Sequence, residues 1–147
     1  MARFQFRLEA SLKHAERASE EAQRSLARET QKYLLLFEAR DEQKETWIAA
    51  LEGQRQAGFT NPENLGRWQT YARLQHQLLL EQEAKLLEQE KIKEKMRLQV
   101  IRIHQEVEKL KRLKAKQEKA FVLAEQRKEQ KILDEAGQVL FWANQKV

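Results

Sequence analysis

The side chains able to do chemistry are few and badly placed for it. The 147-residue chain has no cysteine, so thiolate nucleophiles, thiolate metal sites and disulfides are all excluded. Its three histidines, His14, His76 and His104, are scattered. His104 and Glu108 stand four apart, on one face of a helix, where they can share a metal. Two ligands without a third and fourth make a poor site, and a solvated ion pair is the better reading. His14 and His76 read as surface or seam residues. No phosphate-cradling glycine loop, no G-x-S-x-G elbow and no H-E-x-x-H helix occurs. The sequence is therefore read as non-enzymatic, with no cofactor and no metal.

The elements that would carry any function are equally plain. Charged residues make up 35% of the chain, aromatics only 7%, and mean hydropathy is −0.84, too polar to wrap a globular core. Disorder is opposed by long apolar periodicity and by the scarcity of Ser, Gly and Pro. No apolar run approaches a membrane span and no leader-like segment opens the chain, which reads as a soluble intracellular protein. Gly53, Gly58, Pro62 and Gly66 crowd into one patch, and Gly137 stands alone near the end. Breakers in one place mean two long helices and one loop. The expected fold is all-α: a long antiparallel two-helix coiled-coil hairpin forming a single domain, residues 1–147. Its helices are expected over about 4–54 and about 64–143, joined by a loop over about 55–63. Asn61 before Pro62 is a good start for the second helix, with Thr60 and Glu63 a competing capping box.

Helix one carries an alternating 3–4 spacing through Leu8, Leu12, Ala15, Ser19, Ala22, Leu26, Glu29, Tyr33, Leu36, Arg40, Gln43, Trp47 and Ala50, a seam with polar lapses. In helix two, Trp68, Tyr71, Leu74 and Leu78 open the pattern and Met96, Val100, Ile103, Val107 and Leu110 form its cleanest stretch. A phase slip is expected between them. With a turn near residue 59 or 60, Leu51 should meet Trp68 and Leu8 should meet about Lys111. Trp47 and Trp68 are expected to pack together as a staple beside the loop. Past about Lys114 the second helix would run unpartnered for on the order of 50 Å.

Charge is distributed to match. Residues 1–84 are net −1, residues 85–131 net +7 and residues 132–147 net −1. The excess is densest at Lys109, Lys111, Arg112, Lys114, Lys116 and Lys119. Beyond it Ile132, Leu133, Ala136, Val139, Leu140 and Ala143 recur at helical spacing, with Phe141 and Trp142 adding aromatic bulk. A basic collar is followed by an apolar tip.

Several local strings are similar to a known family. The opening F-Q-F-R-L-E (Phe4, Phe6, Arg7, Leu8, Glu9) followed by Leu12 resembles the start of the FliJ family of flagellar export proteins. The stretch R-W-x-x-Y-x-x-L (Arg67, Trp68, Tyr71, Leu74), then Leu78, resembles that family's entry into its second helix. The closing E-Q-R-K-E-Q-K-I-L-D-E (Glu125 to Glu135) resembles its C-terminal segment. The resemblance implies an antiparallel coiled coil similar to the central stalk of rotary ATPases. It also implies three partners: a hexameric flagellar export ATPase whose assembly and turnover it promotes, the cytoplasmic domain of the export gate, and export chaperones. The implied place is the cytoplasm, at the cytoplasmic face of the inner membrane, reached only through partners.

From the residues and the resemblance together, the ATPase-binding candidates are Phe4, Phe6, Arg7, Arg127, Lys128, Lys131, Leu133 and Phe141. Those for the gate are Arg73, Leu74, Leu78 and Glu81, on the early face of helix two. The free protein is expected to be a monomeric hairpin with no nucleic acid bound. Competing readings are a basic coiled coil binding nucleic acid or an anionic surface, a homodimeric scaffold, and the equivalent stalk of a virulence type III system.

Overall fold

The structure, a computed structural model, describes residues 2–145. It contains two long helices, α1 (Glu9–Thr60) and α2 (Leu65–Gln145), separated by a 3-10 turn over Pro62–Asn64, and no strand among the described residues. The all-α expectation holds. No helix among the described residues is long and apolar enough to cross a membrane. The chain divides into two compact units: residues 20–102, and residues 2–19 with 103–145.

Residues 20–102 form an antiparallel helical hairpin. Its α1 strip follows the expected spacing, for Ala22 and Ala50 are buried and Leu26, Glu29, Tyr33, Leu36, Arg40, Gln43 and Trp47 are half-buried. The α2 strip differs from expectation. It runs through Ala72, Gln75, Leu79, Gln82, Leu86, Gln89, Lys93, Met96 and Val100, without any slip of phase. Tyr71, Leu74 and Leu78 lie one residue out of that register and are exposed. The apparent slip came from reading only apolar residues. Glutamine and lysine hold seam positions here, while leucine occupies flanking ones.

Three of those polar positions, Gln75, Gln89 and Lys93, are engaged across the hairpin. Gln43 Nε2 donates to the Gln75 carbonyl oxygen at 3.0 Å and to its Oε1 at 2.6 Å. Gln89 Nε2 donates to the Glu29 carbonyl oxygen at 3.0 Å and to a Glu29 carboxylate oxygen at 2.6 Å. The Lys93 ammonium sits 4.1 Å from the Tyr33 ring centre, a cation–π contact. Both amide pairs fall within a residue of the expected register. A buried polar pair discriminates between registers because any shift strands its members without partners.

Near the turn the packing relies on small residues. Ala50, Ala57 and Ala72 are buried, which lets the two backbones approach. A Cβ on Gly53 would run into the Trp68 ring, so the glycine makes the slot in which that indole lies. The expected Trp47–Trp68 staple is therefore not formed. Trp47 stacks on His76, ring centres 4.7 Å apart, and Trp68 meets Tyr71 edge-on at 6.0 Å. Helix α1 continues through Gly53 and Gly58 to Thr60, beyond the expected boundary, because burial of Ala57 and cover over Gly53 offset the roughly 1 kcal/mol helical penalty of each glycine. Thr60 Oγ1 donates back to the Gln56 carbonyl oxygen, and Pro62 opens the turn, with the Asn61 side chain making no cap hydrogen bond.

In the other unit α1 starts at Glu9, not near residue 4. Residues 2–6 are not helical, and Phe6 is buried with Leu12 and Val107, flanked by Phe4, Ala15 and Leu110. Phe4 reaches the Phe121 ring at 5.6 Å, and Glu9 accepts from Lys114 Nζ at 2.9 Å. An extended chain advances about 3.3 Å per residue against 1.5 Å for a helix, so a few unwound residues cover more of α2 than helical ones would. The unpartnered part of α2 thus begins after about Phe121 rather than Lys114, and residues 126–145 are exposed throughout. Leu8, assigned to the seam from its spacing, turns out at 37% exposure.

Two predictions follow from the polar seam. Gln75→Leu removes the side-chain acceptor of the Gln43 amide, leaving it only the backbone carbonyl, and should lower stability by about 1 kcal/mol, whereas Gln43→Leu with Gln75→Leu should recover or exceed the original value, as read from urea melts. The hydrogen bond from Gln89 holds the Glu29 carboxyl below its ordinary value, with Lys32 adding to the effect. The stabilising form is the carboxylate, so its contribution is present above the ordinary carboxylate range and is lost as pH falls through the lowered folded value. Glu29→Gln should accordingly flatten the acid limb of the melting temperature against pH.

Candidate functional site

Each helix spends one narrow face on its partner, so the surfaces free to bind others are the outer faces of the hairpin and the bare end of α2. The gate candidates Arg73, Leu74, Leu78 and Glu81 are all exposed on α2. Leu74, Leu78 and Glu81 fall on one line at helical spacing. Leu74 shares a shallow surface hollow with Gly66, Arg67, Thr70 and Tyr71. Arg73 points about 100° away from Leu74 around the helix and lines a different hollow, with Trp47, Leu51 and His76. The structure thus brings three of the four together and separates the fourth. Arg67, quoted above only for resemblance, and Tyr71, assigned to the seam pattern, belong with the three.

Among the ATPase candidates, Phe6 is only 7% exposed and belongs to the chain's own core, so it is unavailable as a contact. A lone phenylalanine near a chain end reads as a surface anchor in sequence, and only the fold shows that it faces Val107. Phe4 is half-buried against Phe121, and Arg7 is exposed. At the other end Arg127, Lys128 and Lys131 are exposed, Lys128 standing 3.7 Å from Glu125. Leu133 and Phe141 are 66% and 60% exposed, and Ile132, Val139, Leu140 and Trp142 are comparably bare. Arg127 and Phe141 share one side of the helix, about four turns apart, while Ile132, Ala136, Val139 and Ala143 hold the opposite side. Val139, Trp142 and Ala143 line an open hollow with Glu135 and Gln138.

Glu9 raises the Lys114 ammonium above its usual value, and Arg97 lowers Glu94, both through charge-assisted hydrogen bonds. His104 Nε2 lies 3.9 Å from Glu108 Oε1 as an exposed pair, and no cluster of metal-ligating side chains occurs among the described residues. The arrangement offers surfaces for other macromolecules. It encloses nothing.

The molecule is accordingly an all-α coiled-coil protein whose two helices leave a long end of α2 uncovered. Residues 4–146 match the model of the flagellar FliJ protein, and the chain belongs to the FliJ family, components of the flagellar export apparatus. Comparison with curated proteins and with solved structures returned no match.

Phe6→Ala should cost about 3 kcal/mol in the unit that contains it and release residues 2–8 from α2. Amide exchange should then accelerate at Glu9–Leu12 while residues 20–102 keep their protection. Uniform acceleration along the chain would instead mean that the two units unfold as one.

Proposed function

We propose that this protein is a non-catalytic stalk of the export apparatus, whose bare α2 end enters and activates the hexameric export ATPase. The observation that carries this reading is the run of exposed large apolar side chains, Ile132, Leu133, Val139, Leu140, Phe141 and Trp142, on a helix with no partner of its own. A solvated helix of that length gains little stability alone and gains much from being gripped. Arg7 and Phe4, beside the start of that segment, are the remaining N-terminal contacts. The gate's cytoplasmic domain would take the line of Leu74, Leu78 and Glu81 with its hollow beside Tyr71, far along the sequence from the ATPase end. Export chaperones are the third class of partner, and the working place is the cytoplasmic face of the inner membrane.

The test uses the purified chain titrated into its cognate export ATPase, following phosphate release, alongside a chain ending at Glu125. That end point keeps Phe121 and the N-terminal cover intact. Stimulation by the whole chain should be lost in the shorter one, and Arg127→Glu with Lys128→Glu and Lys131→Glu should weaken it at unchanged helicity. Leu74→Asp with Leu78→Asp should spare stimulation and abolish capture by the gate domain. Stimulation that survives the truncation would remove the α2 end from the mechanism.

A further inference from the structure

We propose that the outer ridge of α2 from Lys109 to Arg127 docks electrostatically on the plane of an anionic lipid bilayer. The ridge consists of Lys109, Arg112, Lys116, Lys119, Leu123 and Arg127, spaced three or four apart so that all lie along one side of the helix. It spans about 27 Å at 1.5 Å per residue. Every one of the six is exposed. It lies opposite the strip that carries Val107, Leu110, Lys114 and Phe121, so docking on it would leave the N-terminal cover undisturbed.

The charge on this stretch is segregated by face. Glu118, Glu125 and Glu129 fall on the covered side and its flanks, and the ridge itself contains no acid over its length. Among the described residues Arg112, Lys116, Lys119 and Arg127 have no carboxylate within ion-pair distance, and only Lys109 is paired, with Glu106 at 3.4 Å. A basic stretch that merely kept the chain soluble would have no reason to place its acids on the other side.

The form of the ridge selects the ligand. A straight, single-helix line with no concavity cannot surround one phosphate, but it can lie along a flat array of them. No aromatic platform interleaves the cations, which disfavours single-stranded nucleic acid. Leu123, 45% exposed, sits at the crest between Lys119 and Arg127, and Phe141 follows on the same side at 60% exposure. Apolar side chains in a cationic line suit a headgroup layer, where the charges stay at the surface and the leucine enters. Each cation held near such a surface is worth about fivefold in partition.

The experiment is cosedimentation of the whole chain with vesicles of phosphatidylcholine alone and of phosphatidylcholine mixed with phosphatidylglycerol, at low and high salt. Binding should require phosphatidylglycerol and fall with salt. Arg112→Glu with Lys116→Glu and Lys119→Glu should reduce it on the order of a hundredfold. Lys44→Glu with Lys85→Glu and Lys91→Glu, which change net charge equally elsewhere, should bind within a few-fold of the original, and Leu123→Ser should weaken binding without changing helicity. Equal binding to neutral vesicles, equal loss in both triple variants, or tighter capture of duplex DNA than of the anionic vesicles would overturn the proposal. ATPase stimulation, read on the same ridge variant, tests the stalk separately, because Arg112, Lys116 and Lys119 all precede the exposed α2 end assigned to the ATPase.

Discussion

Two helices have only one face each to give to one another, and everything else about this molecule follows from that shortage. A residue in such a pair is covered on one side and wet on the other, so no large core can form. Ala50, at 1% exposure, is the most enclosed of the buried apolar side chains, and it is also among the smallest. Where the helices must come close, near the turn, the sequence supplies alanines and Gly53. Further from the turn it supplies glutamines, whose amides bridge to the opposite backbone and side chain together. A seam built this way gains less from burial than one made of leucine, but it states its register at each amide pair.

The same shortage explains the N-terminal segment. A helix from residue 4 would match α2 turn for turn and leave Phe121 bare. Unwinding residues 2–6 sacrifices a few backbone hydrogen bonds and extends cover along α2, with the Phe4–Phe121 and Glu9–Lys114 contacts as its two anchors. Beyond them no described residue covers α2. The change from half-buried Phe121 and Glu125 to the uniformly exposed residues 126–145 marks where intramolecular packing ends among the described residues.

Much of this was legible from residue spacing. The α1 strip was readable because its polar members, Ser19, Glu29 and the pair Arg40 and Gln43, interrupt a strong apolar pattern only briefly. The α2 strip was not, because Gln75, Gln82, Gln89 and Lys93 alternate with Leu79 and Leu86 along it while Leu74, Leu78, Leu80 and Leu87 decorate its flanks. Hydrophobicity marks a seam only when the flanks are polar, and here both flanks carry leucine. The aromatic pairing failed for a related reason. Ring partners are decided by which neighbour leaves room, and the room for Trp68 is made by the missing side chain of Gly53. Of the candidate contacts, those on the α2 end are exposed, as an unpartnered stretch of helix implies. Phe6 needed knowledge of the tertiary fold, because burial of a single aromatic outside any periodic segment has no local signature.

The exposed leucines of α2 are therefore not accidents of a poor seam. A coiled coil meant only to hold itself together gains from leucine inside and polar residues on its flanks, and this chain inverts that order around residues 71–89. Moving apolar side chains from the seam to the flanks lowers the hairpin's stability and raises what a partner can bury. Single exposed apolar residues are ordinary on any surface. An ordered line of Tyr71, Leu74 and Leu78 beside a polar seam is apolar surface that the hairpin itself leaves unburied. The α2 end carries the same inversion further, where no other described residue covers the apolar side chains.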